Sequence, residues 1–379
     1  MPDIELGIIG GGIAGLSTAV ACQRAGIDAH VFEAAPAIKP LGTSLSLWSN
    51  AMTCLADWDL AEGAKSKGAV FDQVATRRPD GKPFMVQPLQ DLQAEAGQPA
   101  VIVRRSDLAA ILRSTLADDT VHLGHELTDL NGTELAFANG MKVTAKHVIA
   151  ADGIWSPTRA KIRNDPAPKY SGYGAYLGLS SGPSFQDQAC EYLGHDDRMG
   201  VFETGDDTRY WFYVANDPVR SQHARVVRSD EVLDKITHWP QPFQDLVKQS
   251  HDGIVHVAFH DRPVGNHWGI ENVTLIGDAM HPYVPNLGQG GCQAIEDAHA
   301  VAAGLQRGHW GVDLQSWMHK TRTKRARYFY ANSRKVGMLA QPQNLLLRMM
   351  RSVIYAKPMQ GLVTKELRKQ FIRPAYPAP

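Results

Sequence analysis

The sequence predicts an α/β fold: a parallel-sheet domain assembled from separate stretches of chain, an inserted and mostly β domain, and a helical C-terminal region. Three observations predict it. An apolar run, a glycine-rich turn, an amphipathic stretch and a second short apolar run open the chain, which is the βαβ order of a parallel sheet. Residues 169–262 are rich in aromatic and alternating segments, the pattern of a second sheet. Later a buried strand, VTLIG from Val273, leads into another glycine-rich turn and a helix over residues 290–306.

In chain order, residues 4–9 read as a strand, 13–25 as a helix with Ile13, Leu16, Ala19 and Val20 on one side, and Ala29 to Glu33 as a second strand. Residues 72–100 lack a long helical period and read as an excursion from the first domain, to which Val101 to Val103 returns. Ser106 to Leu116 is helical by period, with Ser106 as its N-cap. Short strands follow at Val121 to Leu123, Glu134 to Phe137, Lys142 to Thr144 and Val148 to Ala151, with Asn139-Gly140 as a hairpin turn. Tyr210 to Val214 and Ile254 to Phe259 read as strands of the second sheet.

The 379 residues suffice for roughly two to three domain-sized units. With 39 Lys and Arg against 39 Asp and Glu, 44% hydrophobic and 21% charged residues, the composition excludes a disordered, collagen-like or nucleic-acid-coating chain. No nucleic-acid partner is expected. No apolar run reaches the length of a membrane span, and the start, MPDIELGIIGGG, lacks the positive segment of a secretory signal, so a cytoplasmic location is expected. Cys22, Cys54, Cys190 and Cys292 show no zinc spacing and read as reduced thiols; no metal is expected. From Leu314 to Lys365 there is no Asp or Glu, while 11 Lys or Arg lie between Lys320 and Lys365. Such a tail is either a solvated helical surface packed on an acidic body or a peripheral contact for an anionic surface or acidic partner.

Gly10-Gly11-Gly12-Ile13-Ala14-Gly15 is a GxGxxG with its strand before it and its helix after it. In that context Gly10 allows the tight turn, Gly12 lets backbone approach a pyrophosphate at the helix N-terminus, and Gly15 permits close packing. Glu33, ending the second strand, suits an adenosine ribose. The string indicates a dinucleotide without saying which. His256 and His260 lie four apart on a strand, about 13 Å along one face, too far for a metal pair. His281 reads as a packing and hydrogen-bonding residue. Cys292 at a helix start suits either a lowered thiol pKa or, preferably, a small residue giving the backbone room.

Two further strings follow: VIAADGIWSPTR from Val148 to Arg159, and VTLIGDAMHPYVPNLGQGGCQAIEDA from Val273 to Ala298. With the first they make the ordered GxGxxG, DG and GD set, and at these residues the sequence resembles the single-component FAD-dependent aromatic hydroxylases over about residues 4–303. Arg105 in VRRSDL, and Asp261-Arg262-Pro263 before Trp268, match as well. The resemblance implies a Rossmann-like FAD-binding domain of residues 1–71, 101–168 and 264–312, a substrate domain of residues 72–100 and 169–263, and a basic C-terminal helical region of residues 313–379. It implies FAD bound without a covalent link, with NADH or NADPH as co-substrate, and O2 used through a C4a-hydroperoxyflavin to hydroxylate an aromatic or heteroaromatic small molecule. Asp278 would accept from the ribityl chain, Pro285 would pack near the flavin ring, and Gly288, Gln289, Gly290, Gly291 and Cys292 would turn backbone amides toward its pyrimidine end. Reduced flavin is anionic there, and a helix N-terminus stabilises such charge. The resemblance also sets Ala14, Ala34, Arg105 and Leu127 beside the cofactor, and gives Asp152 and Arg159 a supporting or pyridine-nucleotide role.

Within the family, LSLWSN from Leu45 to Asn50 and GQGGCQAIEDA look similar to the urate hydroxylase and salicylate hydroxylase branch; polyene epoxidases share the second string. Arg198 falls where urate enzymes carry a substrate-contacting Arg, and Arg198, Tyr210, Trp211 and Tyr283 are the expected catalytic or pocket-wall residues. Trp211 stands where a Tyr is expected, and Leu177 where an Asn is. An apolar Leu cannot hydrogen-bond a purine edge, which argues against urate itself. Two rivals are an epoxidase of a polyene or hydrophobic substrate and a non-catalytic escort that has lost its flavin. A flavin halogenase is disfavoured by the missing WxWxIP string. All the flavin strings end before Ala303, so residues Leu314 to Lys365 are expected to be dispensable for flavin binding while contributing packing or surface association.

Overall fold

A computed structural model describes residues 3–38, 44–217, 221–342, 360–373 and 375. The chain begins β1 (Ile4–Ile9), α1 (Ile13–Arg24), β2 (Ala29–Glu33), β3 (Ser44–Leu47), α2 (Ser49–Asp57), α3 (Ala61–Lys67), β4 (Ala69–Phe71), β5 (Gln73–Arg77), β6 (Pro83–Pro88), α4 (Gln90–Ala96) and β7 (Ala100–Arg104). Next come α5 (Arg105–Arg113), β8 (Val121–Leu123), β9 (Leu127–Asn131), β10 (Glu134–Phe137), β11 (Lys142–Ala150) and α6 (Pro157–Ile162). The inserted region holds β12 (Lys169–Ser180), β13 (Ala189–Leu193), β14 (Arg198–Glu203), β15 (Arg209–Asn216), β16 (Arg225–Val227), α7 (Ser229–Leu233), α8 (Gln241–Lys248) and β17 (Ser250–Asp261). The return is β18 (Gly269–Ile270), β19 (Val273–Leu275), α9 (Gly277–Met280), α10 (Gly290–Gln306), α11 (Val312–Ala340) and, near the end, α12 (Gln360–Phe371).

Among the described residues β19, β11, β1, β2 and β8 run side by side and parallel, with β1 in the middle. The chain lays β2 on one side of β1 and later returns to lay β11 on the other, so the strand order switches there and a crevice opens beyond the carboxyl end of β1, where such sheets bind ligands. Apolar residues of β1 (Leu6, Ile8) pack against α1 and α10 in the largest buried cluster. Residues 142–151, read from sequence as two strands, form one strand that changes partner. Lys142 to Thr144 pair antiparallel with β10, and Ala145 to Ala150 pair parallel with β1. The polar Lys146 and His147 hid that continuity. Helix α5 also differs: it starts at Arg105 with Arg104 as N-cap, so Ser106 lies inside the first turn and does not cap it.

The second sheet runs β16-β17-β12-β15-β14-β13-β5-β6, antiparallel throughout except for β13 with β5. The excursion over residues 72–100 therefore supplies this sheet's far edge, together with the short helix α4 that the composition concealed. One face of the sheet is sealed by α7 and α8 over Tyr176, Tyr192, Met199, Val201, Trp211 and Tyr213. The other face turns toward the loop after α9, since Ala175, Val214 and Phe259 pack with Val284. Along β15 the burial alternates, with Tyr210 and Phe212 half-buried between buried Trp211 and Tyr213.

The basic C-terminal region is not a surface appendage. Leu314, Trp317 and Met318 of α11 belong to the same apolar cluster as β1 and α1. Arg322, 2% exposed, donates to Glu296 and to Asp297 (2.7 Å), both fully buried on α10, and Arg325 donates to Glu296 at 2.6 and 2.7 Å. Trp268 reaches Thr323 at 2.8 Å. Helix α12 docks as well: Phe371 packs against Trp48, and Arg325 donates to the carbonyls of Lys369 and Gln370. The expected packing role is thereby borne out for α11, and removing the helix would strand two buried carboxylates, which weighs against its being dispensable. Arg348, Arg351 and Lys357 of the basic run lie outside the described residues. No described helix is long and apolar enough to cross a membrane.

Candidate active site

The glycine-rich turn between β1 and α1 is built by close approaches. Gly10 has φ +103°, and a Cβ on Gly15 would stand 1.9 Å from the Gly10 carbonyl oxygen. Gly12 is the N-cap of α1 with no side chain capping the helix, and a Cβ there would meet nothing within 4 Å. The first turn of α1 thus presents unpartnered amides to open space, the arrangement that holds a phosphate. Glu33 stands beside it, with Oε2 accepting from the Gly11 amide at 2.6 Å and Oε1 from Ala35 at 2.9 Å. Its carboxylate keeps lone pairs for a ribose. Ala14 is half-buried in the first turn of α1 beside Gly277, Ala34 follows Glu33, and the Leu127 side chain is buried with Phe32 and Phe137.

The second helix start is similar. Helix α10 begins at Gly290 after Gln289, again without a side-chain cap, and a Cβ on Gly290 would meet nothing within 4 Å. Gly288, with φ +60°, faces the Trp48 indole, and its amide donates to Pro285. Gln289 contributes backbone only, because its amide side chain is buried and hydrogen-bonded to Asn50 (3.0 Å) and Gln293 (3.2 Å). Cys292 is no reactive thiol. Fully buried, it takes a hydrogen bond from the Trp48 amide, donates to the Ser46 carbonyl, and has its pKa pushed up to about 12 by burial. The helix N-terminus does not outweigh that desolvation.

Asp278 opens onto the groove between these two helix starts while protein encloses it on its other sides. That enclosure raises its carboxyl above the ordinary range, with His281 and Arg105 pulling it down. Beneath it, Asp297 accepts from the Gly277 amide at 2.9 Å and from His281 at 2.6 Å, which anchors the GD turn to α10. Asp152 accepts from the Thr158 amide at 3.0 Å, and burial raises its pKa. Arg159 cannot serve a pyridine nucleotide. It is 4% exposed, its Nη1 donates to the carbonyls of Ala279 and Met280 at 2.8 Å each, and Asp165 takes its other edge. It clamps the DG segment to the GD turn.

Two of the four expected pocket residues face elsewhere. Trp211 is fully buried on the sealed side of the sheet, lies over Gly178 and donates to Ser250 at 3.0 Å, because strand alternation sends it opposite to Tyr210 and Phe212. Tyr283 spends its hydroxyl on the Gln289 carbonyl at 3.0 Å, with its ring between His281 and Phe329, so it braces the turn. Tyr210 and Arg198 do lie on the open face. Arg198 donates to Glu191 at 2.8 Å and to Asn286, and Asn286 donates to Tyr173 and to the Ser333 carbonyl at 2.8 Å each. Glu191, Asn286, Tyr173 and Phe212 were missed. Asn286 directly follows Pro285 and could have been read from the GD string; the others needed the strand register.

His256 pairs with Asp217 at 2.6 Å and His260 with the Ala258 carbonyl, and no cluster that could hold a metal occurs among the described residues. All four cysteines are free and buried.

Two helix starts without side-chain caps, Glu33 beside the first and the GD turn with Asp278 packed between them, form an arrangement that suits a dinucleotide cofactor. The chain matches the FAD binding domain model over residues 3–333 and belongs to that family. It is 32% identical over 361 residues to the aurachin C monooxygenase/isomerase of Stigmatella aurantiaca, covering 91% of this chain and 94% of that protein. It is 29% identical over 312 residues to an FAD-dependent urate hydroxylase of Mycolicibacterium vanbaalenii, covering 78% of each. Among solved structures it resembles Klebsiella pneumoniae HpxO complexed with FAD and uric acid, at a TM-score of 0.85 and 24% identity over 97% of this chain and 98% of that one, a likeness of fold. The chain is an FAD-dependent monooxygenase.

Proposed function

We propose that the enzyme hydroxylates a small aromatic or heteroaromatic ring held between the open face of the second sheet and the GD turn, with NAD(P)H and O2 as co-substrates. The observation that carries this is the period-two exposure of Tyr210 and Phe212 on the face that meets Val284 and Asn286, beside the turn that ends in Gly288. In this reading residues 1–71, 101–168 and 264–312 hold the cofactor, and residues 72–100 and 169–263 hold the substrate; the protein works in the cytoplasm.

The residues present fit FAD. The amides opening α1 take the pyrophosphate, Glu33 the ribose and Asp278 the ribityl hydroxyls, while the start of α10 stabilises negative charge at the pyrimidine end. When bound, FAD supplies hydride acceptance from the nicotinamide and activation of O2. The protein's part is to orient the ring and keep water out. Phe202, Tyr210 and Phe212, with centroids 5.8 to 6.2 Å apart, give an aromatic wall for that purpose. A polyene is disfavoured by the polar set Arg198, Glu191, Asn286 and Tyr173 on the same face. The test is NAD(P)H oxidation by the FAD-loaded enzyme across phenols, purines, quinolones and polyenes, with product mass read out. A ring product heavier by one oxygen atom is expected; oxidation only of polyenes, or no turnover at all, would overturn the reading.

A further inference from the structure

The arginine on the open face is already neutralised. Arg198 is 2% exposed, and its two terminal nitrogens are occupied, Nη1 by Glu191 at 2.8 Å and Nη2 by the Asn286 side-chain oxygen. Its Nε–H has no acceptor but is shut away from the surface. Two of its N–H groups are spent on protein acceptors and the guanidinium as a whole is buried, so it presents no exposed fork to a carboxylate.

Glu191 stands more open, with its side chain 24% exposed. Strand β13 sets it opposite Gly200, and Phe212 lies over that glycine, so Glu191 and Phe212 share the open face. Only Oε1 takes the Arg198 hydrogen bond; Oε2 has no hydrogen-bond partner among the described residues. A second cation near this face is cancelled too, because Arg334 pairs with the buried Asp261 at 2.7 and 2.9 Å, and both act on Tyr173, which donates no charge of its own. The remaining walls are Leu177, Phe202, Tyr210 and Phe212.

We infer that Glu191 determines specificity: the site takes an uncharged aromatic or heteroaromatic ring that donates an N–H or O–H to the free Glu191 oxygen, and it rejects ring carboxylates. The inference rests on the hydroxylase reading above. A carboxylate entering this pocket loses its hydration and meets the Glu191 carboxylate before the cation behind it. A neutral ring stacks on the aromatic wall and satisfies an acceptor that would otherwise be left without a partner.

The experiment measures ring binding to the FAD-loaded enzyme through the change in flavin absorbance, with phenol against salicylate and hydroxyquinoline against its ring carboxylate. In the parent enzyme the neutral member of each pair should bind about tenfold tighter or more. Glu191→Gln, which keeps the shape but leaves the Arg198 charge uncompensated, should tighten the carboxylates by about tenfold and weaken the neutral donors, with FAD content unchanged. Glu191→Ala should move the ratio in the same direction and serves if Glu191→Gln fails to fold. Equal binding of carboxylate and neutral rings by the parent, or an unchanged ratio in both variants, would overturn the inference while the hydroxylase reading stood. An enzyme that holds FAD, is reduced by NAD(P)H and binds or oxidises no ring would overturn both.

Discussion

Arg322 and Arg198 are equally buried, each 2% exposed, yet they are held in opposite ways. Arg322 is saturated: Nε meets Asp297, Nη1 meets Glu296, and Nη2 meets both oxygens of Gln293. Arg198 has two partners, an orphaned Nε–H, and a counter-ion whose second oxygen has no hydrogen-bond partner among the described residues. A charge cluster satisfied on every side fastens α11 to α10, whereas one left incomplete marks where another molecule belongs.

The strongest way to break that contrast is Arg322→Ala. It leaves Glu296 and Asp297 with too little positive charge in a dry interior, and a loss of about 3–5 kcal/mol in urea unfolding is expected. Truncation after Gly311 should do at least as much and yield insoluble protein. A soluble truncate that holds FAD would show the network to be ornamental.

Asp278→Ala should come next, with FAD retention weakened roughly ten- to a hundredfold, since hydrogen bonds to a charged acceptor are worth about 1.5–3 kcal/mol. Flavin absorbance per unit protein after dialysis reads this directly. Unchanged retention would give Asp278 another role.

Arg198→Ala is expected to keep the flavin spectrum and the FAD content but slow hydroxylation by roughly ten- to a hundredfold. Arg198→Lys sharpens the comparison, because a point charge can pair with Glu191 but cannot also hold Asn286 in the same plane. Recovery of coupling by Lys would mean that charge alone suffices.

Acid should loosen the saturated side first. His147 is buried and neutral: its Nδ1 accepts from the Gly311 amide at 3.2 Å and its Nε2 meets Thr274, and burial holds its pKa down to about 4 from 6.5. A base depressed in the folded state is protonated preferentially in the unfolded chain, so stability should fall as pH drops from 6.5 toward 4. Burial would raise the pKa of Glu296, but Arg325 and Arg322 hold it down to about 2; its contribution is present above 4.5 and lost as pH falls toward 2. Denaturation midpoints across pH, compared with His147→Gln, separate the two windows; an unchanged profile in the variant would remove His147 from the account.

The smallest effect is predicted for Trp211→Phe, which gives up one hydrogen bond to Ser250 on the sealed face. About 1 kcal/mol of stability should go, with ring affinity untouched. A change in ring affinity would return Trp211 to the pocket.

By itself the sequence determined the cofactor half. The glycine-rich turn, Glu33, the DG and GD strings and the start of α10 are local features, in which a glycine or a strand end acts through neighbours a few residues away. The acidic pair Glu296-Asp297 inside a largely apolar and buried helix was an unread signal that cations must come from elsewhere. Tertiary structure alone decided the rest. Which face of β15 looks into the pocket depends on strand pairing, and a one-residue step sends Trp211 one way and Phe212 the other. The partner of Arg198 across the site, Asn286, is 88 residues distant, and those of Arg322 sit on a different helix, so whether either cation was surface, anchor or site was set by packing at a range no local pattern encodes.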